Sequence, residues 1–454
     1  MKRVDARLRA LVMLILVSLG LACNLLFLAG SIRYGGPESL VQRVRAEVAA
    51  RRPHPQYVPT PLAAPSDALH PAGAQPALEP GVGLTPVPPA GASDVAVTDS
   101  LAGPTAASAS GAPAPIHRPA AEVAELAGLS HMWQTWNNCG PATLAMNLSY
   151  FGVGFDQAQV ATVLKPNRDD KNVNPEEIAD FARAQGFNAL VRVNGDSDRL
   201  RTLLSNGVPV LIETWLEPEP GDGMGHYRLL TGYDAAARQW TVYDSYVSVG
   251  VDPKQPYRGI RLAYDEVERL WSVFNHTYIV IYSDELAPVV SSVLGEDADD
   301  TLMWQRALSR AGAEVEARPE DPFAWFNLGS ALTALGRFEE AAVAYDRARV
   351  IGLPWRMLWY QFGPFRAYYE TGRYQELSVL ADATLATAGN IEEVYYWKGL
   401  DLEAQGDAAG ARQAWQRAIE LNANYAEAAA ALARLDGSPP ENQNPPAAQS
   451  SGGG

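Results

Sequence analysis

The chain has 454 residues, and a single hydrophobic core usually stops growing at about 250–300 residues, so two or three folding units are expected. It is acidic, with 36 Lys and Arg against 52 Asp and Glu, and no basic block falls in the regions predicted to fold, which argues against nucleic acid as a partner. Two cysteines, six scattered histidines and no Cys-x-x-Cys pair predict neither a disulfide framework nor a metal or other cofactor.

An apolar run near the N-terminus spans residues 10–30 and follows four basic residues. About 20 apolar residues suffice to cross a bilayer as a helix, whereas the apolar core of a signal peptide usually has ~7–15. Because no clear small-x-small cleavage site ends the run, an uncleaved signal anchor is favoured over a cleaved signal peptide. We expect residues 1–32 to form a transmembrane helix and the rest to be extracytoplasmic, with a secreted protein as the alternative.

The stretch 33–119 is dominated by proline, alanine, glycine and serine. Few large apolar side chains are present there to offset the entropy that is lost when a chain is ordered. The composition therefore predicts a disordered linker between the membrane and the folded part of the protein.

Residues 120–285 show mainly helical patterns first and strand patterns later. The apolar spacing predicts helices at 141–151, 156–164, 175–185, 198–205 and 264–270. It predicts strands at 187–193, 208–215, 226–233, 239–243 and 278–282. A short hairpin-like connection joins the third strand to the fourth, and an antiparallel sheet after a group of helices is an α+β arrangement.

One cysteine stands where a polar loop turns into a predicted helix. Gly140 and Pro141 follow Cys139, and proline is tolerated in the first turn of a helix because its missing N–H would have no partner there. The unpaired N–H groups and the positive dipole end of a helix stabilise an anion, so this position favours a thiolate. Because the thiolate is the nucleophilic form, Cys139 indicates a cysteine-dependent acyl-transfer enzyme.

A base and an orienting group are available on two neighbouring predicted strands. His226 begins one strand after a glycine-rich run, where a histidine can face a cleft and titrate near neutrality, although an isolated histidine in such a place is more often a surface or strand-edge residue. Asp244 ends the next strand, and a hairpin brings the start of its first strand close to the end of its second. We therefore expect Asp244 to hydrogen-bond His226 and fix its tautomer.

Gln134, five residues before Cys139, is the candidate oxyanion donor. Its side-chain amide and the Cys139 backbone N–H would together stabilise a tetrahedral intermediate. The candidates for the substrate pocket are Trp133, Trp136, Asn137, Asn138 and Gly225.

The order of these motifs resembles a known family of enzymes. Asn138-Cys139-Gly-Pro-Ala, Gly225-His226-Tyr and Tyr243-Asp244-Ser are similar to motifs of papain-like cysteine peptidases of the bacteriocin-processing, double-glycine-leader type. The resemblance covers residues 129–282 and implies a peptide or protein substrate. It implies that Cys139 is the nucleophile, His226 the base and acid, Asp244 the orienting group and Gln134 the oxyanion donor. No transporter spans follow, so leader-peptide export is not implied.

The C-terminal part changes to alanine-rich helices with an internal repeat. Gly336, Gly372 and Gly406 open similar hexapeptides spaced by 36 and 34 residues. The unit resembles the tetratricopeptide repeat, although Pro364 falls inside the first helix of the middle unit. We expect a linker and leading helix at 286–320, three repeats with a capping helix at 321–436 and a disordered tail at 437–454. Such a repeat offers a concave surface for a peptide or protein partner.

The sequence thus predicts a multidomain protein: a transmembrane helix, an α+β papain-like cysteine peptidase domain at 120–285 and an all-α solenoid of tetratricopeptide repeats. The leading hypothesis is a membrane-anchored extracytoplasmic peptidase that works through a thioester intermediate. A papain-like amidase or acyl transferase on the same triad is one alternative, because all proceed through a thioester. A non-catalytic envelope adaptor is another, although a scaffold has no need of the complete set of four residues.

Overall fold

The structure of the protein is a computed structural model that describes residues 55–64, 116–218, 221–246, 249–251 and 257–437. The transmembrane helix predicted at 1–32 lies outside these residues, as do most of the predicted linker and all but the first residue of the predicted tail. None of the helices within the described ranges is both long and apolar enough to cross a bilayer.

Within the described residues, the first folded part contains five α-helices and a seven-stranded sheet. The helices are α1 (Cys139–Tyr150), α2 (Gln157–Leu164), α3 (Pro175–Ala184), α4 (Ser197–Ser205) and α5 (Tyr264–Trp271). The strands are β1 (Val123–Glu125), β2 (Asn188–Arg192), β3 (Val210–Leu216), β4 (Met224–Asp234), β5 (Gln239–Tyr243), β6 (Ile260–Ala263) and β7 (Tyr278–Tyr282). Every helix and strand predicted for this part is present, with ends shifted by a few residues. The apolar pattern does not predict β1 and β6, which are only three and four residues long.

The sheet is antiparallel throughout and runs in the order β2-β7-β3-β4-β5-β6, with β1 paired to β4. Apolar side chains of α1, α2 and α3 pack on one face, and those of α4 and α5 pack on the other. This double cover explains why all seven residues of β3 are buried. The predicted α+β arrangement is confirmed.

The C-terminal part of the described chain is helical. It comprises α6 (Ala287–Leu294), α7 (Asp300–Ala317), α8 (Pro322–Ala334), α9 (Phe338–Ile351), α10 (Gly363–Glu370), α11 (Tyr374–Thr387), α12 (Glu392–Ala404), α13 (Ala408–Leu421) and α14 (Ala426–Leu435). A 3₁₀ helix at Trp355–Trp359 precedes α10. Pro364 therefore lies in the first turn of α10 rather than in a helix interior, where it would remove a hydrogen bond. We call residues 287–437 the helical region.

The glycines that recur in the sequence have a common backbone conformation. Gly336, Gly372 and Gly406 follow α8, α10 and α12 with φ of 73, 67 and 88°. This left-handed conformation ends helices at little cost only when the residue lacks a Cβ. Gly329 has a different role, because an added Cβ would lie 2.7 Å from the ring of Tyr345. The repeat in the sequence thus marks helix ends and close helix contacts.

An apolar core joins the helical region to the sheet. The rings of Trp215 and Phe323 have centres 5.9 Å apart, and those of Phe274 and Tyr360 are 6.3 Å apart. Trp215, Leu270 and Phe274 belong to the same buried cluster as side chains of α8, α9, α10 and α11. The sheet and the helical region therefore share one apolar core and are not separate units joined only by a linker.

Polar contacts extend the same interface on both sides of this core. Asn327 on α8 donates a hydrogen bond to the carbonyl of Ser272 at 2.7 Å. Asn172 and Asn174 donate to Glu393 on α12 at 2.8 and 2.7 Å. Part of the surface of α8 and of α12 is therefore covered by the first folded part of the protein, residues 123–282, which we call the sheet domain.

A short part of the predicted linker lies against the helical region. Within residues 55–64, Tyr57 forms a β-bridge with Pro354 and the Val58 side chain is buried. The backbone N–H of Val58 donates to the carbonyl of Leu353 at 2.9 Å. Composition predicts disorder for this segment because it ignores the contacts that another part of the chain provides.

We predict that Phe274→Ala, which removes a buried ring from the shared core, lowers the unfolding free energy by about 3–5 kcal/mol. Urea unfolding followed by far-UV and tryptophan signals should show a single transition, because both parts lose the same contacts. The control Val350→Ala changes a residue that is 49% exposed on α9 and should cost less than about 1 kcal/mol. Two separate transitions, or a loss under about 1 kcal/mol for Phe274→Ala, would contradict the shared core.

Candidate active site

Cys139 is the first residue of α1, at the N-terminal end of the helix. Asn137 precedes it in a left-handed conformation with φ of 55°, which asparagine tolerates better than most residues. Gly140 leaves room for Val173, since an added Cβ would lie 3.2 Å from the Val173 Cβ. The helix then continues through residues that are buried on every side, so the start of α1 is fixed against the core.

His226 lies next to Cys139 because β4 passes the start of α1. The imidazole hydrogen-bonds the Cys139 thiol, and the backbone N–H of Tyr227 donates to the same sulfur. Nε2 of His226 is 2.8 Å from Oδ1 of Asp244, so Nδ1 is the nitrogen left for the thiol. The three side chains that the sequence indicated therefore form one hydrogen-bonded chain.

Asp244 is completely buried and accepts hydrogen bonds from three groups. Besides His226, Arg228 Nε donates to Oδ2 at 2.9 Å, and the backbone N–H of Tyr246 donates to Oδ1 at 2.8 Å. Burial alone would raise the pKa of this carboxyl, but His226, Arg228 and the Tyr246 N–H hold it well below its usual range. Asp244 therefore stays ionised. Sequence reasoning missed Arg228, although its position two residues after His226 on one strand places both on the same face.

The surroundings favour an imidazolium–thiolate pair. Burial works against the charge on His226, but Asp244 and the contact with Cys139 outweigh it and raise the His226 pKa to about 9. Burial also opposes ionisation of Cys139, yet His226, the Tyr227 N–H and the Lys165 ammonium lower the net pKa of the thiol. Lys165 is itself held close by hydrogen bonds to the carbonyls of Asn137 and Asp170, at 3.0 and 3.2 Å.

Gln134 is tied to the residue that follows Asp244. Its backbone N–H donates to the carbonyl of Ser245 at 2.9 Å, and Ser245 Oγ donates to Gln134 Oε1 at 2.8 Å. These contacts use the oxygen end of the amide and leave the Nε2 hydrogens for another acceptor. The amide is thus anchored beside the hydrogen-bonded chain, although it lies 5 residues away from Cys139 in sequence.

The predicted pocket residues have different surroundings. Trp133 packs edge-on against His131 with ring centres 4.4 Å apart, and Lys171 lies over the Trp136 ring at 5.1 Å. The Asn138 amide turns back to Thr135 Oγ1 at 2.8 Å, so it braces its own loop.

Gly225 faces the helical region, because an added Cβ would lie 2.9 Å from the ring of Tyr360. Arg356, near Tyr360, forms an ion pair with Asp222 and donates to the carbonyl of Gly223 at 3.3 Å. The helical region therefore covers the start of β4, directly before His226. Neither Tyr360 nor Arg356 gave a signal in the sequence, because each acts only through contacts with a distant part of the chain.

Glu213 is a second buried carboxyl near the cysteine. It lies in the middle of β3, opposite Tyr227, and is 3% exposed. Gln361 of the helical region hydrogen-bonds it, while Oε2 has no partner among the described residues. Burial and the charge of Cys139 raise the pKa of Glu213 to about 8. A glutamate inside an otherwise apolar strand was a signal that sequence reasoning could have used.

The part of the chain that contains these residues is similar to a known protein family. Residues 126–274 match the model of the Peptidase_C39-like family. No curated protein matches the chain.

Three solved structures are among those that match. A C39-like peptidase from Bacillus anthracis is 17% identical, with 36% of this chain and 98% of that one covered and a TM-score of 0.30. The peptidase domain of Streptococcus ComA, a bifunctional ABC transporter of a quorum-sensing pathway, is 17% identical, with coverages of 35% and 100% and a TM-score of 0.28. A double-glycine-motif protease from an AMS/PCAT transporter, in complex with a leader peptide, is 18% identical, with coverages of 35% and 94% and a TM-score of 0.26.

We predict that His226→Ala slows alkylation of Cys139 by iodoacetamide about 10–100-fold at pH 6, because the thiol then needs a higher pH to ionise. The difference should shrink toward pH 9, where an ordinary thiol is largely ionised. Mass spectrometry of the Cys139 peptide separates this reaction from that of Cys23. His117→Ala, a histidine that hydrogen-bonds Ser292, serves as the matched control and should leave the rate unchanged. Equal rates for His226→Ala and wild type at pH 6 would rule out the ion pair.

We predict that Glu213→Gln changes the pH dependence of stability. Between about pH 4.5 and 8 the folded protein holds a proton on Glu213 that the unfolded chain releases, so this group lowers stability as pH rises through that window. Glutamine does not titrate. The unfolding free energy of the variant relative to wild type should therefore increase by about 3 kcal/mol from pH 5 to pH 8.

Urea titrations of both proteins at the two pH values measure this difference. Glu217→Gln, an exposed residue just beyond β3, is the control and should shift the difference by less than about 0.5 kcal/mol. A stability difference for Glu213→Gln that is the same at both pH values would show that Glu213 is already ionised at pH 5.

Proposed function

We propose that the protein is a papain-like cysteine peptidase that hydrolyses peptide bonds in a peptide or protein substrate. The observation that carries this proposal is the hydrogen-bonded chain that runs from the partly exposed Cys139 at the start of α1 through His226 to Asp244, both of which are buried. The match of residues 126–274 to the Peptidase_C39-like family supports the same function.

The proposed reaction starts from the thiolate of Cys139. It attacks the carbonyl carbon of the scissile bond, a C–S bond forms, and the negative charge moves to the carbonyl oxygen. The Gln134 amide and the Cys139 backbone N–H donate hydrogen bonds to that oxygen. When the intermediate collapses, the C–N bond breaks and the His226 imidazolium gives its proton to the leaving amine.

The second half of the reaction releases the acyl group. Neutral His226 takes a proton from water, and the resulting hydroxide attacks the thioester carbonyl. The C–S bond breaks, Cys139 leaves as a thiolate, and the product is a carboxylic acid. Asp244 keeps His226 in the required orientation throughout, and Arg228 keeps Asp244 ionised.

We further propose that the enzyme is anchored by a transmembrane helix at residues 1–32 and acts on the extracytoplasmic side. The apolar run and its basic flank support this location. The helical region is proposed to consist of tetratricopeptide repeats that bind substrate or a partner protein. The spacing of Gly336, Gly372 and Gly406 at three helix ends supports the repeat assignment.

The test of the activity is cleavage of a peptide library by the full chain, followed by mass spectrometry of the products. Peptides that contain Gly-Gly form one arm of the library. Cys139→Ser should abolish cleavage, and Cys139→Ala should bind intact substrates from an extract, the same ones that the wild type cleaves. Release of ammonia without new peptide termini would show an amidase instead, and no turnover with a slowly alkylated Cys139 would show a non-catalytic adaptor.

We predict that Gln134→Ala lowers kcat about 10²–10³-fold and changes KM little, because an oxyanion donor acts mainly in the transition state. Peptide cleavage under saturating conditions measures the loss. Gln416→Ala, an exposed glutamine on α13, is the matched control and should cleave like wild type. An unchanged kcat for Gln134→Ala would remove this side chain from the oxyanion site.

A further inference from the structure

Residues 55–64 lie across the helical region between the end of α9 and the start of α11. Tyr57 forms an antiparallel bridge with Pro354. The Val58 N–H donates to the Leu353 carbonyl at 2.9 Å, and the Trp355 N–H donates to the Gln56 carbonyl at 3.4 Å. The segment therefore binds through its backbone, as a short added strand does.

A buried arginine binds the next two residues of the segment. Nε of Arg349 donates to the carbonyl of Pro59 at 2.8 Å, and Nη2 donates to the carbonyl of Thr60 at 3.2 Å. Arg349 is 1% exposed and forms an ion pair with Glu376 at 3.0 Å. A buried charge is tolerated only when it is paired and hydrogen-bonded, and Glu376 and the Tyr368 hydroxyl provide Arg349 with partners inside the helical region besides the segment.

Glu376 binds the segment as a hydrogen-bond acceptor, whereas Arg349 binds it as a donor. Its Oε1 accepts a hydrogen bond from the backbone N–H of Leu62 at 2.6 Å. The pair of Arg349 and Glu376 thus offers two donors for carbonyls and one acceptor for an N–H, spaced along an extended chain.

The composition of the segment fits these groups. Pro59 and Pro61 have no backbone N–H, so neither brings a donor that would stay unpaired beside the donor-only guanidinium. Proline also favours the extended conformation before binding, which reduces the entropy lost on docking. Val58 fills the apolar part of the groove and is 5% exposed. No residue from 55 to 64 carries a charge.

We infer that the groove formed by residues 349–355 and Glu376 is a binding site for an extended, uncharged segment with flanking prolines, and that residues 55–64 are its tethered ligand. This site is separate from Cys139, His226 and Asp244, none of which it contacts. It attaches the N-terminal arm of the protein to the helical region rather than to the sheet domain.

One consequence rests on the proposed membrane anchor. Only residues 33–54 then connect the membrane to the docked segment, and a fully extended chain of that length reaches about 75 Å. The docked segment thus limits how far the helical region lies from the membrane, whatever length of chain follows it. A linker that is free from 33 to 119 would impose a far weaker limit.

The test uses a fluorescent peptide with the sequence of residues 55–64 and the full chain. Val58→Asp in the chain places a charge in the apolar part of the groove and should release the tethered segment without altering the groove itself. We expect the Val58→Asp chain to bind the peptide at least 10-fold more tightly than wild type, because a tethered competitor acts at millimolar effective concentration. A peptide that carries the same Val58→Asp change should bind neither protein.

Two results would overturn the inference. One is equal binding of the peptide by wild type and the Val58→Asp chain. The other is a wild-type dimer in sedimentation that Val58→Asp dissolves, which would show that the groove takes the segment of a second copy. Alkylation of Cys139 should be the same in both chains. A negative result of the binding test therefore leaves the proposed peptidase activity unaffected. Normal alkylation also shows that the variant is folded.

Discussion

The buried carboxylate of Asp244 is the interaction on which the site depends. It accepts from His226, Arg228 and the Tyr246 N–H, and the residue after it holds Gln134. An ionised group without solvent is stable only when donors surround it, so these contacts fix the end of β5 as well as the imidazole. The orientation of His226 then follows, and with it the charge on Cys139.

The helical region is part of the same folded body as this site. Its Tyr360 covers Gly225, and its Gln361 hydrogen-bonds Glu213 near the cysteine. The apolar core that includes Trp215 and Phe274 holds these residues in place. Two of its helices, α8 and α12, contact the sheet domain through Asn327 and Glu393. A third part of its surface holds residues 55–64.

Buried acids are concentrated where the two parts meet. Burial and mutual repulsion raise the pKa values of Asp170, Glu177 and Glu393 well above their usual range. Asn172 and Asn174 bind Glu393 as neutral donors, and Lys165 contributes one cation between this cluster and Cys139. At this interface the acids can therefore be protonated instead of ion-paired. Like Glu213, they make the packing of the helical region less stable as the pH rises.

The sequence by itself determined much of the local structure of this protein and pointed to the candidate site residues. Periodicity predicted the helices and strands of the first part, and the order of Gln134, Cys139, His226 and Asp244 indicated acyl-transfer chemistry, because these signals are local. Only the tertiary structure decided that Arg228 contacts Asp244, that Ser245 contacts Gln134, that Tyr360 covers Gly225 and that residues 55–64 lie against the helical region. Each of these depends on contacts between residues far apart in the chain, and neither composition nor spacing encodes which distant surfaces will meet.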